Sequence, residues 1–144
     1  AAVIDNSLAL LHHQLETHHI EVVKEYQPGL PLVKIDKNKM TQVLVNLVLN
    51  AIQAMPQGGR IALKTQVHNH MVKLEIEDNG LGMVEDDLTQ AFDFFFTTKR
   101  NKDNVGLGLS TVKTIMDMHG GEIILENKKE GDGVKVTLLL KAEI

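Results

Sequence analysis

The sequence has no cysteine and no tryptophan, one tyrosine and three prolines, and its four phenylalanines all fall between positions 92 and 96. Without cysteine there is no disulfide framework and no thiolate metal site, which fits a reducing compartment. A surplus of basic charge is also missing: 15 Lys and Arg stand against 19 Asp and Glu, for a net charge of −4. With a pI near 6.0, nucleic acid bound through a broad basic face is disfavoured as a partner. No apolar run is long enough to cross a bilayer, and the first residues lack the basic-then-apolar pattern of a secretory signal. The expectation is a cytoplasmic domain that makes no membrane contact itself, whatever anchor a parent protein carries. Repeats, low-complexity tracts and linkers are absent as well. What is present is a 43% hydrophobic fraction in 144 residues, enough for one core, so 1–144 is expected to be a single domain.

Hydrophobic periodicity predicts helices over 4–17, 37–55, 85–92 and 107–119. Asp36 is a plausible N-cap for the second of these, whose apolar stripe is Met40, Val43, Leu44, Leu47, Val48, Ala51 and Met55. Alternation predicts strands over 20–26, 60–67, 72–77, 122–126 and 134–141, with a short extended piece at 32–35. The second and third strands read as a hairpin through His68-Asn69-His70. Glycine and proline mark the turns at Pro28-Gly29, Gly58-Gly59, Gly120-Gly121 and Gly131-Asp132-Gly133. Helices and hairpins mix without a regular strand–helix–strand rhythm. The expected fold is an α/β (α+β) two-layer sandwich: about five strands in a mixed, mostly antiparallel sheet with three main helices on one face.

Several short patterns carry chemistry. Asn46 and Asn50 are four apart on one helix and share its face, at the flank of the apolar stripe. Their amides are either satisfied by backbone or water, or turn carbonyl oxygens toward a cavity and a hard cation such as Mg²⁺. Asp78-Asn79-Gly80-Leu81-Gly82 follows a strand. It is a turn, or it is a carboxylate placed to accept from an exocyclic amine beside backbone that a flat ring can approach. Gly106-Leu107-Gly108-Leu109 opens a helix, where bare N–H groups form an anion site. It is neither a P-loop nor a dinucleotide fingerprint, because no Gly-Lys-Ser/Thr follows and no strand precedes it.

The order Asn46/Asn50, Asp78-x-Gly80-x-Gly82, Phe92-Asp93-Phe94-Phe95-Phe96-Thr97-Thr98-Lys99 and Gly106-x-Gly108-Leu109 resembles the N, G1, F and G2 boxes of the sensor histidine kinase ATP-binding domain. That domain is a branch of the Bergerat-fold (GHKL) ATPases, and the likeness covers nearly the whole chain. The Phe-Thr-Thr-Lys element is similar to the short-lid subgroup that includes nitrogen-regulatory sensor kinases. The resemblance implies ATP and Mg²⁺ as cofactors. It implies Asn50 as the metal ligand with Asn46 beside it, and Asp78 as the reader of the adenine amine. It further implies Gly80, Gly82 and Met83 around the base, and an ATP lid over 93–105 rooted by Phe95 and Phe96. Thr97, Thr98 and Lys99 would lie at the nucleotide, with Lys99 reaching the phosphates. Gly106, Leu107, Gly108 and Leu109 would supply the lid hinge and phosphate amides. Asn46 and Lys99 are the residues expected at the transfer step.

Three positions depart from the family pattern. Gln53 and Ala54 stand where many members have a cation and an aromatic, and Phe92-Asp93-Phe94 lacks the proline of Phe-x-Pro. The family's phosphoacceptor, a histidine followed by an acidic residue on a separate helical hairpin, has no counterpart among the seven histidines. That hairpin is expected N-terminal to residue 1 in the parent, with a response regulator downstream. The alternatives are a GHKL ATPase that hydrolyses ATP, or a serine kinase of the anti-sigma-factor type. Both resemble each other in placing Glu four residues before the metal Asn, where it can act as a base. Here that position is Asn46, which has no useful basicity, and this favours the histidine kinase.

Overall fold

The computed structural model describes residues 2–29, 33, 35–55, 57–80, 105–127 and 133–142. Its elements are α1 (Ala2–Leu10), α2 (His12–Thr17), β1 (Ile20–Tyr26), α3 (Lys37–Gln53), β2 (Gly59–His68), β3 (Met71–Asp78), α4 (Val105–Met118), β4 (Glu122–Asn127) and β5 (Val134–Lys141). The strands form one sheet in the order β1-β2-β3-β5-β4. Only β1 and β2 run parallel; β2–β3, β3–β5 and β4–β5 are antiparallel. The mixed, mostly antiparallel five-stranded sheet is therefore as expected.

One face of that sheet carries the core. Ile61 and Leu63 of β2, Leu74 and Ile76 of β3, and Val134, Val136, Leu138 and Leu140 of β5 are buried together with the stripes of the helices. Their spacing of two along each strand puts them on one side of the pleat. From α3 come Met40, Val43, Leu44, Leu47, Val48, Ala51 and Ile52, and from α4 Leu109, Val112, Ile115 and Met116. Asp36 caps α3 as its sequence suggests, its Oδ1 accepting from Lys39 N at 3.1 Å. His119, just past the end of α4, joins that helix to the same cap. Its Nε2 accepts from the Asp36 N–H at 3.0 Å while its Nδ1 lies 2.8 Å from the Ile115 carbonyl. Because Nε2 accepts, Nδ1 is the nitrogen that donates.

The first helix differs from expectation. The single helix over 4–17 is two helices, α1 and α2, with a turn at Leu11 (φ −102°, ψ 9°) between them. Leu8, Leu11 and Leu15 are all buried across the break. The turn re-aims the chain, so the apolar stripe is kept while the helical ladder is not. The helix expected over 107–119 starts earlier, at Val105. The expected helix at 85–92 lies outside the described residues, and of the extended piece at 32–35 only Val33 and Ile35 are described, neither in a strand.

The other face of the sheet is polar. Glu75, on β3, is buried to 8% exposure. Lys73 lies 3.1 Å and Lys135 3.5 Å from its carboxylate, and Gln66 donates to it at 3.2 Å. Burial alone would push this carboxyl up. The Lys73 and Lys135 ammonium groups outweigh burial and hold it below the usual range.

Candidate functional site

Strand β3 ends at Asp78, which pairs with Ile61 of β2. Asp78 follows Leu74 and Ile76 in the core-facing set and is 7% exposed. A buried carboxylate must be hydrogen-bonded to be tolerated. Asp78 Oδ1 accepts from Gly80 N at 2.9 Å and from Val134 N at 3.2 Å. The side chain is thus held both by its own loop and by the first residue of β5.

The backbone around Asp78 is packed too tightly for side chains. A Cβ at Gly80 would stand 2.6 Å from the Ala54 carbonyl oxygen at the end of α3. At Gly133, with φ +128°, a Cβ would collide with the Asp78 carbonyl at 2.0 Å. At Gly59 it would meet Asn79 Oδ1 and Met55 Sδ, each at 2.5 Å. Gly80 and Gly133 permit close approach of main chain to main chain, and Gly59 that of the Asn79 and Met55 side chains. Gly80 was expected to matter for the approach of a flat ring, whereas what lies against it here is the end of α3. Gly59, Gly133, Val134 and Ala54 were not expected to matter, because their contact with Asp78-Asn79-Gly80 is made by pairings that no local pattern announces. The one available signal was the glycine turn written in front of β5.

Asn46 and Asn50 lie one turn apart on α3, both half-buried. The Asn50 Nδ2 atom is buried and has no hydrogen-bond partner among the described residues. An unmet buried polar atom costs about 1–3 kcal/mol. Packing alone does not account for an amide there, since an apolar residue of similar size would avoid that cost. The two ends of an amide exchange by rotation. A pair of amides one turn apart, one incompletely satisfied, fits a hard cation that takes oxygen ligands. Among the described residues there is no group of three or more His, Cys, Asp or Glu that could hold a metal ion.

Gly106, Leu107 and Gly108 fall in the first turn of α4 rather than ahead of it, which is where unsatisfied N–H groups sit. Leu109, assigned above to the nucleotide, is 3% exposed and packs in the core cluster. Its side chain therefore anchors α4, and any part it takes in binding is through its main chain. Gly82, Met83, Phe95, Thr97, Thr98 and Lys99 lie outside the described residues.

Asp78 at the end of β3, Asn46 and Asn50 on α3 and the N-terminus of α4 thus belong to one helix-on-sheet layer. Residues 35–144 match the family described as histidine kinase-, DNA gyrase B- and HSP90-like ATPases. The chain belongs to that family. Among curated members of this ATPase family, the sensor histidine kinase ZraS of Escherichia coli K12 is 37% identical over 142 residues, covering 99% of this chain and 30% of its own length. Sporulation kinase E of Bacillus subtilis is 32% identical over 133 residues, 91% of this chain and 18% of that protein. The nucleotide-free catalytic domain of the histidine kinase ThkA superposes with a TM-score of 0.87 at 30% identity, covering 98% of this chain and 91% of that one. ThkA solved in complex with the response regulator protein TrrA gives a TM-score of 0.82 at 28% identity, covering 99% of this chain and 40% of that one. The chain spans less than a third of the length of the curated relatives it matches.

Proposed function

We propose that this chain is the ATP-binding catalytic domain of a sensor histidine kinase. It binds Mg-ATP and donates the γ-phosphoryl group to a histidine on a separate helical hairpin of its parent, which then serves a response regulator. The observation that carries the reading is the buried Asp78 carboxylate, held by the Gly80 and Val134 N–H groups beside backbone stripped of side chains at Gly80 and Gly133. A carboxylate so held accepts from the adenine amine and rejects guanine, which has a carbonyl at that place. The family match, and ThkA as a histidine kinase solved with a response regulator, support the partners.

Each residue has a role in this reading. Asp78 orients the base, and Gly80, Gly82 and Met83 line its pocket. Asn50, with Asn46 beside it, holds the cation. Mg²⁺, when bound, supplies charge to offset that on the triphosphate. Gly106, Leu107, Gly108 and Leu109 offer main-chain N–H groups at the start of α4. Phe95 anchors the lid root, and Thr97, Thr98 and Lys99 serve the phosphates, with Lys99 offsetting charge on the group in transfer. Catalysis then rests on in-line positioning and electrostatics, with little covalent work left to the protein.

Asn46 decides between kinase and hydrolase. An amide cannot take a proton from water, so hydrolysis lacks its base. ATP is kept for a better nucleophile, which an imidazole is. The test is radiolabelled ATP given to the chain with and without the hairpin of its own parent. Slow turnover alone and an acid-labile, base-stable product with the hairpin are expected. Brisk hydrolysis without acceptor, or an acid-stable phosphoserine on a partner, would move the assignment to a GHKL ATPase or an anti-sigma-type kinase.

A further inference from the structure

Asn79 lies between the carboxylate of Asp78 and the close-packed Gly80, and it is exposed. An exposed Asn before Gly is usually a turn residue that bonds its own loop. Here the side chain leaves the loop. Its Oδ1 accepts from Arg60 N, 19 residues away, at 2.8 Å. Arg60 stands at the start of β2 and is itself exposed, so water could satisfy its N–H equally well. The bond is therefore not needed to rescue a buried donor. What it does is fix geometry. It ties the last turn of β3 to the first residues of β2 just where the pairing of the two strands ends, at Ile61 and Asp78.

The neighbourhood is shaped to admit that bond. Gly59 leaves room for the Asn79 oxygen, since a Cβ there would stand 2.5 Å from it. Gly59 N in turn donates to the His19 carbonyl at 3.3 Å, which ties the same corner to the start of β1. On the far side Gly80 rests against the Ala54 carbonyl at the end of α3. Asp78 is gripped by Gly80 N and Val134 N. Of these fastenings the Asn79–Arg60 bond is a side-chain contact, and it can be removed without altering the main chain.

We propose that Asn79 is a positioning residue for nucleotide selection: by accepting the Arg60 N–H it fixes the end of β3 and so aims the Asp78 carboxylate at the adenine amine. The proposal rests on the reading of Asp78 given above. Aim matters because a hydrogen bond weakens steeply with angle. An Asp78 free to pivot would lose affinity for ATP and change little toward GTP, which gains nothing from the carboxylate.

The experiment is the ratio of GTP to ATP dissociation constants, measured by calorimetry on the 144-residue chain. Asn79→Ala is expected to lower ATP affinity about fivefold with GTP affinity unchanged, so the ratio falls by the same factor. Asn79→Asp, which keeps an acceptor oxygen in place, is expected to hold the ratio within about twofold of wild type. Leu15→Ala, a core truncation in α2, serves as a control for general loosening and is expected to leave the ratio alone. Should the alanine variant fail to fold, Asn79→Ser takes its place, because its oxygen is one bond short of Arg60. A folded alanine or serine variant with the wild-type ratio would overturn the proposal. So would an aspartate variant that fails to restore it, or an equal fall in Leu15→Ala. A wild type that binds ATP and GTP alike would instead defeat the adenine reading of Asp78 before any variant is compared.

Discussion

The two halves of the candidate site are built on opposite plans. Around Asp78 the protein satisfies itself: the carboxylate takes the Gly80 and Val134 N–H groups, and Gly80 and Gly133 let backbone close on backbone. Around Asn46 and Asn50 it does not, for Asn50 Nδ2 is buried without a partner among the described residues. The first half is finished before a ligand arrives. On the reading proposed above, the second half is completed by one. The difference would suit the two proposed tasks, because a base is selected by fixed directions, whereas a hydrated cation and mobile phosphates bring their own geometry.

The strongest way to break the finished half is Gly133→Ala. The new Cβ would stand 2.0 Å from the Asp78 carbonyl in a backbone with φ +128°. Such a clash and such a φ cost several kcal/mol together, on the order of 3 or more. Thermal melting should fall sharply, and any folded remainder should bind ATP poorly by calorimetry. A stable Gly133→Ala with wild-type affinity would mean the turn is not closed on Asp78.

Asp78→Asn is the milder cut. It keeps shape and one acceptor but removes the charge, so ATP affinity should fall about 10- to 100-fold, equivalent to a charged hydrogen bond of about 1.5–3 kcal/mol. GTP affinity should hardly move. Equal loss for both nucleotides would assign Asp78 to folding rather than to base selection.

Glu75 tests whether this tightness is local to the end of β3. It sits three residues back on the opposite face, held by Lys73 and Lys135. Glu75→Gln should cost about 1–2 kcal/mol at pH 7, allowing for solvent screening, and leave nucleotide affinity unchanged. Its carboxyl is depressed in the fold, so its contribution is present above the ordinary carboxylate pKa. It is lost as pH falls through the lower, folded value. Urea melts of wild type and variant should therefore converge at acid pH, and a gap that persisted there would point to packing instead of charge.

Asn50→Leu is expected to change stability least in the nucleotide-free chain, within about 0.5 kcal/mol or in the stabilising direction, because the buried amide nitrogen has no bond to lose among the described residues. Its effect belongs to the liganded state: ATP affinity with and without Mg²⁺ should differ less than in wild type. A large loss of apo stability would show that the amide is structural.

These contrasts also explain what a reader of the sequence can foresee. The cap at Asp36, the β1 bounds at Ile20 and Tyr26, and the α3 stripe from Met40 to Ala51 are local patterns that were read correctly, while α3 ends at Gln53 rather than Met55 and also buries Ile52. Asn46, Asn50, Asp78 and Gly80 stood out because chemistry-bearing types fell at telling places. The break at Leu11 did not, because Leu8, Leu11 and Leu15 keep helical spacing through it. Nor did Gly59, Gly133 and Val134, whose importance arises only when β5 pairs with β3 and β2 begins beside Asn79.

The strand order has a consequence for how the protein is made. Val134, which donates to the Asp78 carboxylate, follows it by 56 residues. At ribosomal rates that interval is on the order of 3–11 s. Through it α3, β2 and β3 can already be outside the ribosome, while the central strand still lacks its neighbour. On the reading of Asp78 proposed above, ATP meets an unfinished adenine site through this interval, because the carboxylate lacks its Val134 N–H donor. On that reading, competence for nucleotide arrives late, when the β4–β5 hairpin docks on β3.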